Sequence, residues 1–166
     1  FMRMVRGEET DEATLEALED GTLLRELDAA LDEISNGSIF CACRLDQFEA
    51  ALEQAAADAP DVVLVEASGL ADPTNVRRVL AQFPAVSYQG SVCVADAARL
   101  EKVFSTARAC PRQLAVSSLV LLNKTDLATE AQCAEAKALI LRANPAARIR
   151  RTQFGRLEPE WLSLIV

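Results

Sequence analysis

Three polar side chains, Asn123, Lys124 and Asp126, follow an apolar run in the stretch "LLNKTDL", residues 121–127. The spacing Asn-Lys-x-Asp suits guanine, because one carboxylate can accept hydrogen bonds from its adjacent ring and exocyclic N–H groups, and adenine lacks this donor pair. The Lys124 stem can lie along the base, and the Asn123 amide can brace neighbouring loops. The alternative is an Asx-type turn after a strand. We interpret the stretch as a guanine-specificity element.

A second apolar run ends in Glu66, and Gly69 follows three residues later in "DVVLVEASGLADP", residues 61–73. A carboxylate at such a strand end can orient magnesium-bound or attacking water, and a glycine N–H can bond a terminal phosphate. The alternative is a strand followed by a turn that caps the next helix, with Asp72, Pro73 and Thr74 as turn residues. By itself, Glu-x-x-Gly favours the turn.

Short runs of Val, Ile and Leu alternate along the chain with segments of helical spacing. Strands are predicted at 38–43, 61–66, 90–96, 117–123 and 147–152. Helical patterns cover 8–34, 45–56 and 128–144, and the last has Thr129 as N-cap and Asn144-Pro145 as its stop.

Three of the predicted strands are apolar at consecutive positions, which is typical of strands covered on both faces. The alternation predicts an α/β fold of three layers, with a mostly parallel sheet flanked by helices. In such sheets ligands bind beyond the carboxyl ends of the strands. The chemistry is therefore expected just after Cys43, Glu66, Asp96 and Asn123.

The composition excludes several classes of function. The 166 residues include no histidine, which rules out His-based acid–base catalysis and His-ligated metal sites within this chain. The net charge of −8 argues against a broad nucleic-acid or anionic-membrane surface. Five cysteines, an odd number, favour reduced thiols, and neither a signal peptide nor a membrane-spanning run is recognised. We expect a soluble, cytoplasmic protein.

Five stretches of the sequence occur in the order, and at about the spacing, seen in the CobW branch of the CobW/HypB/UreG P-loop GTPase metallochaperones. They are "EISNGSIFCACR", "VVLVEASGLADPTNV", "SVCVADAARL", "QLAVSSLVLLNKTDL" and "NPAARIRRTQFGR". The chain resembles this family from about residue 33 to 157. The resemblance implies a P-loop NTPase-like fold that hydrolyses GTP with Mg²⁺ and helps to deliver a transition metal, often zinc or cobalt, to a client metalloprotein.

The resemblance also implies roles for particular residues. Glu66 and Gly69 match the family's Walker B/switch glutamate and glycine, within a switch segment that extends to Asp72. Asn123, Lys124 and Asp126 match its guanine-specificity element. The segment "TQFG", which begins at Thr152, resembles the loop that closes over the base.

The family's phosphate-binding loop, Gly-x-x-x-x-Gly-Lys-Ser/Thr, has no counterpart in residues 1–166. We interpret the chain as a single nucleotide-binding domain that is a fragment or consists of ordered segments joined across gaps. A degenerate relative is the other explanation. The later motifs favour the first two, because base specificity without a phosphate site would have little use.

The family's internal metal site, Cys-x-Cys-Cys after Asn-Gly, is also changed. The same register reads Ser38-Ile39-Phe40-Cys41, and Cys43 follows. A strand would aim the Cys41 and Cys43 thiols at one face, where two thiolates can bind Zn²⁺ or another transition metal if further ligands are supplied. Two buried cysteines that act as small apolar residues are the equal alternative.

The leading hypothesis is a guanine-nucleotide-binding domain of a GTP-hydrolysing metal chaperone that resembles CobW. Its catalytic activity depends on a phosphate-binding loop in the parent protein. The alternative is a non-catalytic remnant of the same fold that acts as an interaction or metal-binding module. An ATPase of similar fold is disfavoured by Asp126. No nucleic-acid or membrane partner is expected, and the metal, the client and the oligomeric state stay open.

Overall fold

A computed structural model describes residues 2–7, 30–33 and 45–165 of the chain, with side chains described from residue 46 onwards. The chain divides into two compact units, Phe1–Ser87 and Tyr88–Val166. Each unit contains a three-stranded sheet.

The sheet of the first unit is antiparallel and has the order β2-β1-β3, formed by β1 (Met2–Gly7), β2 (Ala30–Glu33) and β3 (Val62–Ala67). Helix α1 (Leu45–Asp58) precedes β3, and a 3₁₀ turn (Pro73–Asn75) and helix α2 (Val76–Leu80) follow it. Apolar residues at helical spacing on α1 form a small core with one residue of α2: Phe48, Leu52, Ala55 and Val79.

Two predictions for the first unit are wrong in detail. Residues 30–33 lie in a segment predicted to be helical, but they form β2 and pair with β1. β3 was expected in the parallel sheet, but it pairs antiparallel with β1. In both cases a strand partner near the start of the chain decides the structure, because ladder pairing overrides local propensity. The predicted strand at 38–43 lies outside the described residues.

The second unit alternates strands and helices. The elements are β4 (Val92–Asp96), α3 (Leu100–Thr106), α4 (Ala109–Val116), β5 (Leu119–Asn123), α5 (Glu130–Ala143) and β6 (Arg148–Arg151), followed by a 3₁₀ segment (Pro159–Leu164). The strands pair in parallel in the order β4-β5-β6. The helices pack beside this sheet, which confirms the predicted α/β, P-loop NTPase-like fold.

The core of the second unit lies between the sheet and its three helices. Ala95, Val120 and Leu122 face the helices, and Leu114 and Ile140 pack against them. β5 is the central strand, and all its apolar residues are buried, as the sequence predicts. On β4, at the edge of this sheet, Val92 is 38% exposed and Val94 59% exposed. β3 is also largely exposed. Of the three strands predicted to be buried on both faces, only the central strand β5 therefore is.

Helix α5 begins and ends where the sequence predicts. The Thr129 hydroxyl accepts the Gln132 N–H at 3.2 Å, and the Gln132 side chain accepts the Thr129 N–H at 2.8 Å, which completes a capping box. Asn144 ends the helix before Pro145. Among the described residues, no helix is both long enough and apolar enough to cross a bilayer.

Candidate nucleotide site

The Asn-Lys-x-Asp motif begins at the carboxyl end of β5. Leu119 to Leu122 are buried, and Asn123 is the last residue of the strand. Lys124 adopts a left-handed backbone with φ 58°, and the Leu127 N–H donates to the Lys124 carbonyl at 3.0 Å. The chain therefore turns directly after the buried strand, and the polar residues of the motif lie at the carboxyl ends of the parallel strands.

The segment that follows β6 is hydrogen-bonded to this turn. The Gly155 N–H donates to Asn123 Oδ1 at 3.1 Å. The Thr125 hydroxyl donates to the Thr152 carbonyl, also at 3.1 Å. These bonds join residues about thirty positions apart in the sequence, so the structure brings the Asn-Lys-x-Asp turn and residues 152–155 together.

Residues 152–155 form a tight loop held from inside. Thr152 is only 6% exposed, and its hydroxyl donates to the Arg156 carbonyl at 2.7 Å, so this side chain shapes the loop. Phe154 and Gly155 have positive φ angles of 55° and 72°. The Phe154 ring is 80% exposed, and it therefore offers an apolar surface beside the Asn-Lys-x-Asp turn.

Asp126 and Lys124 differ in what they contact. Asp126 is exposed, so its carboxylate is accessible to a ligand. Lys124 Nζ lies 3.1 Å from Asp96 Oδ2, and about half of the lysine side chain stays exposed. An exposed carboxylate, an aliphatic stem and a fixed loop beside them can accept a flat base that carries adjacent N–H donors.

Asp96 is the site residue to which the sequence analysis assigned no role. It ends β4 and lies opposite Asn123 in the parallel ladder. Its position at a strand end did predict nearby chemistry, because the carboxyl ends of neighbouring parallel strands meet at one edge of a sheet. Its contact with Lys124 depends on a side-chain rotamer that the sequence does not reveal.

Glu66, Gly69 and Asp72 lie in the first unit. Glu66 is exposed near the end of β3, and Gly69 is exposed in the turn that follows. A Cβ at Gly69 would meet no atom within 4 Å, so crowding by the described protein does not require a glycine there. Asp72 caps the 3₁₀ turn, because its Oδ1 accepts the Thr74 N–H at 3.2 Å and the Thr74 hydroxyl at 2.8 Å. This is the capping turn that the alternative interpretation of residues 72–74 predicts.

The predicted metal ligands Cys41 and Cys43 lie outside the described residues. Within the described part of the chain, no group of three or more cysteine, aspartate or glutamate side chains could hold a metal ion. Cys93, Cys110 and Cys133 are free thiols. Burial raises the pKa of the Cys93 thiol to about 11; the nearby Cys110 adds to this rise, and a hydrogen bond with Ser117 opposes it. Such a thiol is protonated and unreactive at neutral pH.

An ion pair joins the start of α5 to the end of β6. Arg151 donates two hydrogen bonds to the Glu130 carboxylate, at 3.0 and 2.7 Å. These bonds lower the pKa of the Glu130 carboxyl and raise the pKa of the Arg151 guanidinium. Both side chains are largely exposed, so the pair contributes little stability of its own. It connects the start of α5 to the strand end from which the 152–155 loop departs.

The chain matches the family model described as "CobW/HypB/UreG, nucleotide-binding domain" over residues 12–151. The match covers most of the sequence and includes Glu66, Asp96 and the Asn-Lys-x-Asp motif. No curated protein and no solved structure is significantly similar to the chain. Because the family model matches most of the chain, including the strand–helix framework of the second unit as far as the end of β6, the chain belongs to the CobW/HypB/UreG family and carries its nucleotide-binding domain.

Proposed function

We propose that this domain binds guanine nucleotides and belongs to a GTP-hydrolysing protein that couples hydrolysis to delivery of a transition metal. The observation that carries the proposal is the arrangement at the end of β5. Asn123 ends a buried strand, its amide holds the 152–155 loop through Gly155, and Asp126 is exposed in the same turn. An Asx-type turn has no need of a second loop fixed beside it.

The chemistry of the site favours guanine over adenine. The Asp126 carboxylate accepts the ring N–H and the exocyclic amine of guanine together, whereas adenine presents an acceptor where guanine has its ring donor. The Lys124 stem covers one face of the base, and the exposed Phe154 ring lies on the loop beside it. Discrimination of about 1–3 kcal/mol is ordinary for such a paired contact.

GTP hydrolysis is assigned to the parent protein, because it requires a phosphate-binding loop and residues 1–166 contain no Gly-x-x-x-x-Gly-Lys sequence. Glu66 is an exposed carboxylate and suits Mg²⁺, which is usually held by one or two carboxylates together with substrate phosphates. When bound, Mg²⁺ would supply neutralisation of phosphate charge. Gly69 would donate its N–H to the terminal phosphate, and Asp72 caps the 3₁₀ turn that follows it in the chain.

The proposal also includes delivery of a transition metal. Cys41 and Cys43 would bind the transition metal that is the cargo, such as Zn²⁺, and a client metalloprotein would receive it. The segment 66–72 would link the two activities by changing conformation when GTP is hydrolysed. Family membership supports this coupling, since the family model is named for CobW, HypB and UreG.

The guanine assignment is tested by titrating labelled GDP and xanthosine diphosphate into the full-length protein, in the presence and absence of zinc. We expect Asp126→Ala to weaken GDP binding at least about tenfold, which equals about 1.4 kcal/mol. Asp126→Asn should weaken the binding of GDP and strengthen the binding of xanthosine diphosphate, because an amide can donate to the carbonyl that xanthine carries in place of the exocyclic amine of guanine.

The matched control is Glu135→Ala, which removes an exposed carboxylate from the next helix and should leave both affinities unchanged. Equal binding of GDP by the wild type and Asp126→Ala would contradict the guanine assignment. Equal displacement of labelled GDP by ATP and by GTP would contradict it as well.

A further inference from the structure

We propose that Asp96 is a positioning residue of the base site, which holds the Lys124 side chain where its stem can cover a purine. The proposal rests on the proposed function, because it deepens the assignment of the same site. It gives a role to the acidic residue of the stretch "SVCVADA", which contains β4 and supplies Ala95 and Ala97 to the core.

Backbone pairing places Asp96 beside the motif. In the parallel ladder Asp96 lies opposite Asn123, and the Ala97 N–H donates to the Asn123 carbonyl at 2.9 Å. β4 and β5 therefore end at the same level, with a carboxylate on one strand and the Asn-Lys pair on the other. The 3.1 Å contact between Asp96 Oδ2 and Lys124 Nζ follows from this alignment.

The two carboxylate oxygens of Asp96 contact different groups. Oδ1 accepts the Ala98 N–H at 3.0 Å and the Arg99 N–H at 3.2 Å, which fixes the carboxylate rotamer at the start of the turn into α3. Oδ2 is left for the lysine. The anchor is thus rigid before the lysine reaches it, and Asp96 is the less exposed partner, at 24% against 49%.

Lys124 needs such an anchor. A lysine side chain has four rotatable bonds, and ordering it costs conformational entropy when a ligand binds. Holding the ammonium in advance would remove part of that cost and leave the stem extended across the base. An ordinary exposed ion pair would have no influence on a ligand, so the two explanations differ in nucleotide binding and not in stability.

The test is a double-mutant cycle of GDP binding in the full-length protein, with Asp96→Asn and Lys124→Met. Asparagine keeps an oxygen for the Ala98 and Arg99 N–H groups but loses the charge, and methionine keeps an apolar stem without the ammonium. We expect Asp96→Asn to weaken GDP binding about two- to fivefold. In the Lys124→Met background the same change should have no effect.

The preference for GDP over inosine diphosphate distinguishes a change in the placement of the Lys124 stem from a disturbance of the Asp126 carboxylate. Inosine lacks the exocyclic amine, so Asp126→Ala should reduce the preference for GDP over inosine diphosphate. Asp96→Asn should weaken both nucleotides by the same factor and leave that preference unchanged, because stem placement affects both bases equally. The melting temperature of Asp96→Asn should stay close to that of the wild type.

Three results would overturn the role of Asp96. They are unchanged GDP binding in Asp96→Asn, equal weakening in the wild-type and Lys124→Met backgrounds, and a changed preference between the two diphosphates. If Asp126→Ala also leaves GDP binding unchanged, the proposed function itself fails, and the positioning role fails with it. If Asp126→Ala weakens binding and Asp96→Asn does not, only the positioning role is wrong.

Discussion

Lys124 adopts a backbone conformation that glycine or asparagine usually occupies. Its φ is 58°, and a left-handed conformation costs a residue with a Cβ about 1 kcal/mol or more. Glycine would remove that cost, yet the chain places a lysine there, whose ammonium contacts Asp96. Local strain at an exposed turn, combined with a specific side-chain contact, supports a binding role for this lysine over a simple turn.

At this scale we expect Lys124→Gly to separate stability from binding. Its free energy of unfolding should stay within about 0.5 kcal/mol of the wild type, because relief of the left-handed strain offsets the greater freedom of glycine in the unfolded chain. GDP affinity should fall about tenfold, since the stem is gone. Urea denaturation and GDP titration measure the two quantities.

The matched control is Lys102→Gly, which places the same substitution inside α3 at an exposed position. It should lose about 1 kcal/mol of stability and keep its GDP affinity. A Lys124→Gly protein as destabilised as Lys102→Gly would mean that residue 124 is not strained.

At the scale of elements, α5 connects the site to the core. It starts four residues after Asp126, and it packs against α3 and α4 through buried residues such as Cys133 and Ile140. Its first turn also carries Glu130, the partner of Arg151 at the end of β6. The position of this helix start therefore affects both loops of the candidate site.

Removing the N-cap should destabilise the protein through this helix. We expect Thr129→Ala to lower the free energy of unfolding by about 1 kcal/mol, because the capping box with Gln132 is lost. Thr129→Ser retains a hydroxyl and should lose much less. The difference is measured by urea denaturation, and equal stability of the two variants would show that the capping box contributes nothing.

At the scale of the whole molecule, each of the two compact units has its own sheet and its own apolar core. In the second unit the C-terminal segment approaches Gly90, just before β4. Gly90 has φ 153°, and an added Cβ would collide with the Ile165 carbonyl and lie 2.8 Å from Ser118 Oγ. Arg148 also donates to the Leu164 carbonyl, at 2.6 Å. The end of the chain is thus part of the packing of this unit.

We expect Gly90→Ala to destabilise the protein by about 1–3 kcal/mol, because backbone atoms cannot move away cheaply and the φ angle is unfavourable for alanine. Gly69→Ala is the control for stability, since a Cβ there meets nothing within 4 Å, and it should stay within about 0.5 kcal/mol. Thermal unfolding measures both. A Gly90→Ala protein as stable as Gly69→Ala would contradict the close approach of the C-terminal segment.

The periodicity of apolar residues predicted the three strands and the last helix of the second unit, but it gave no prediction for α3 and α4. The strands β4, β5 and β6, the cap of α5 at Thr129 and its stop at Asn144 all lie within two residues of the predicted positions. These features depend on local spacing and on capping chemistry, which are written in neighbouring residues. The Asn-Lys-x-Asp motif was recognisable for the same reason, because all its members occupy one turn.

The sequence by itself determined the α/β class, the family and the residues that could select guanine. Only the tertiary structure decided that β3 pairs antiparallel with residues 2–7, that Asn123 holds Gly155, and that Asp96 contacts Lys124. Each of these depends on the register of distant segments or on a side-chain rotamer. Local propensity cannot fix such contacts, because their free energy arises only when separate parts of the chain meet.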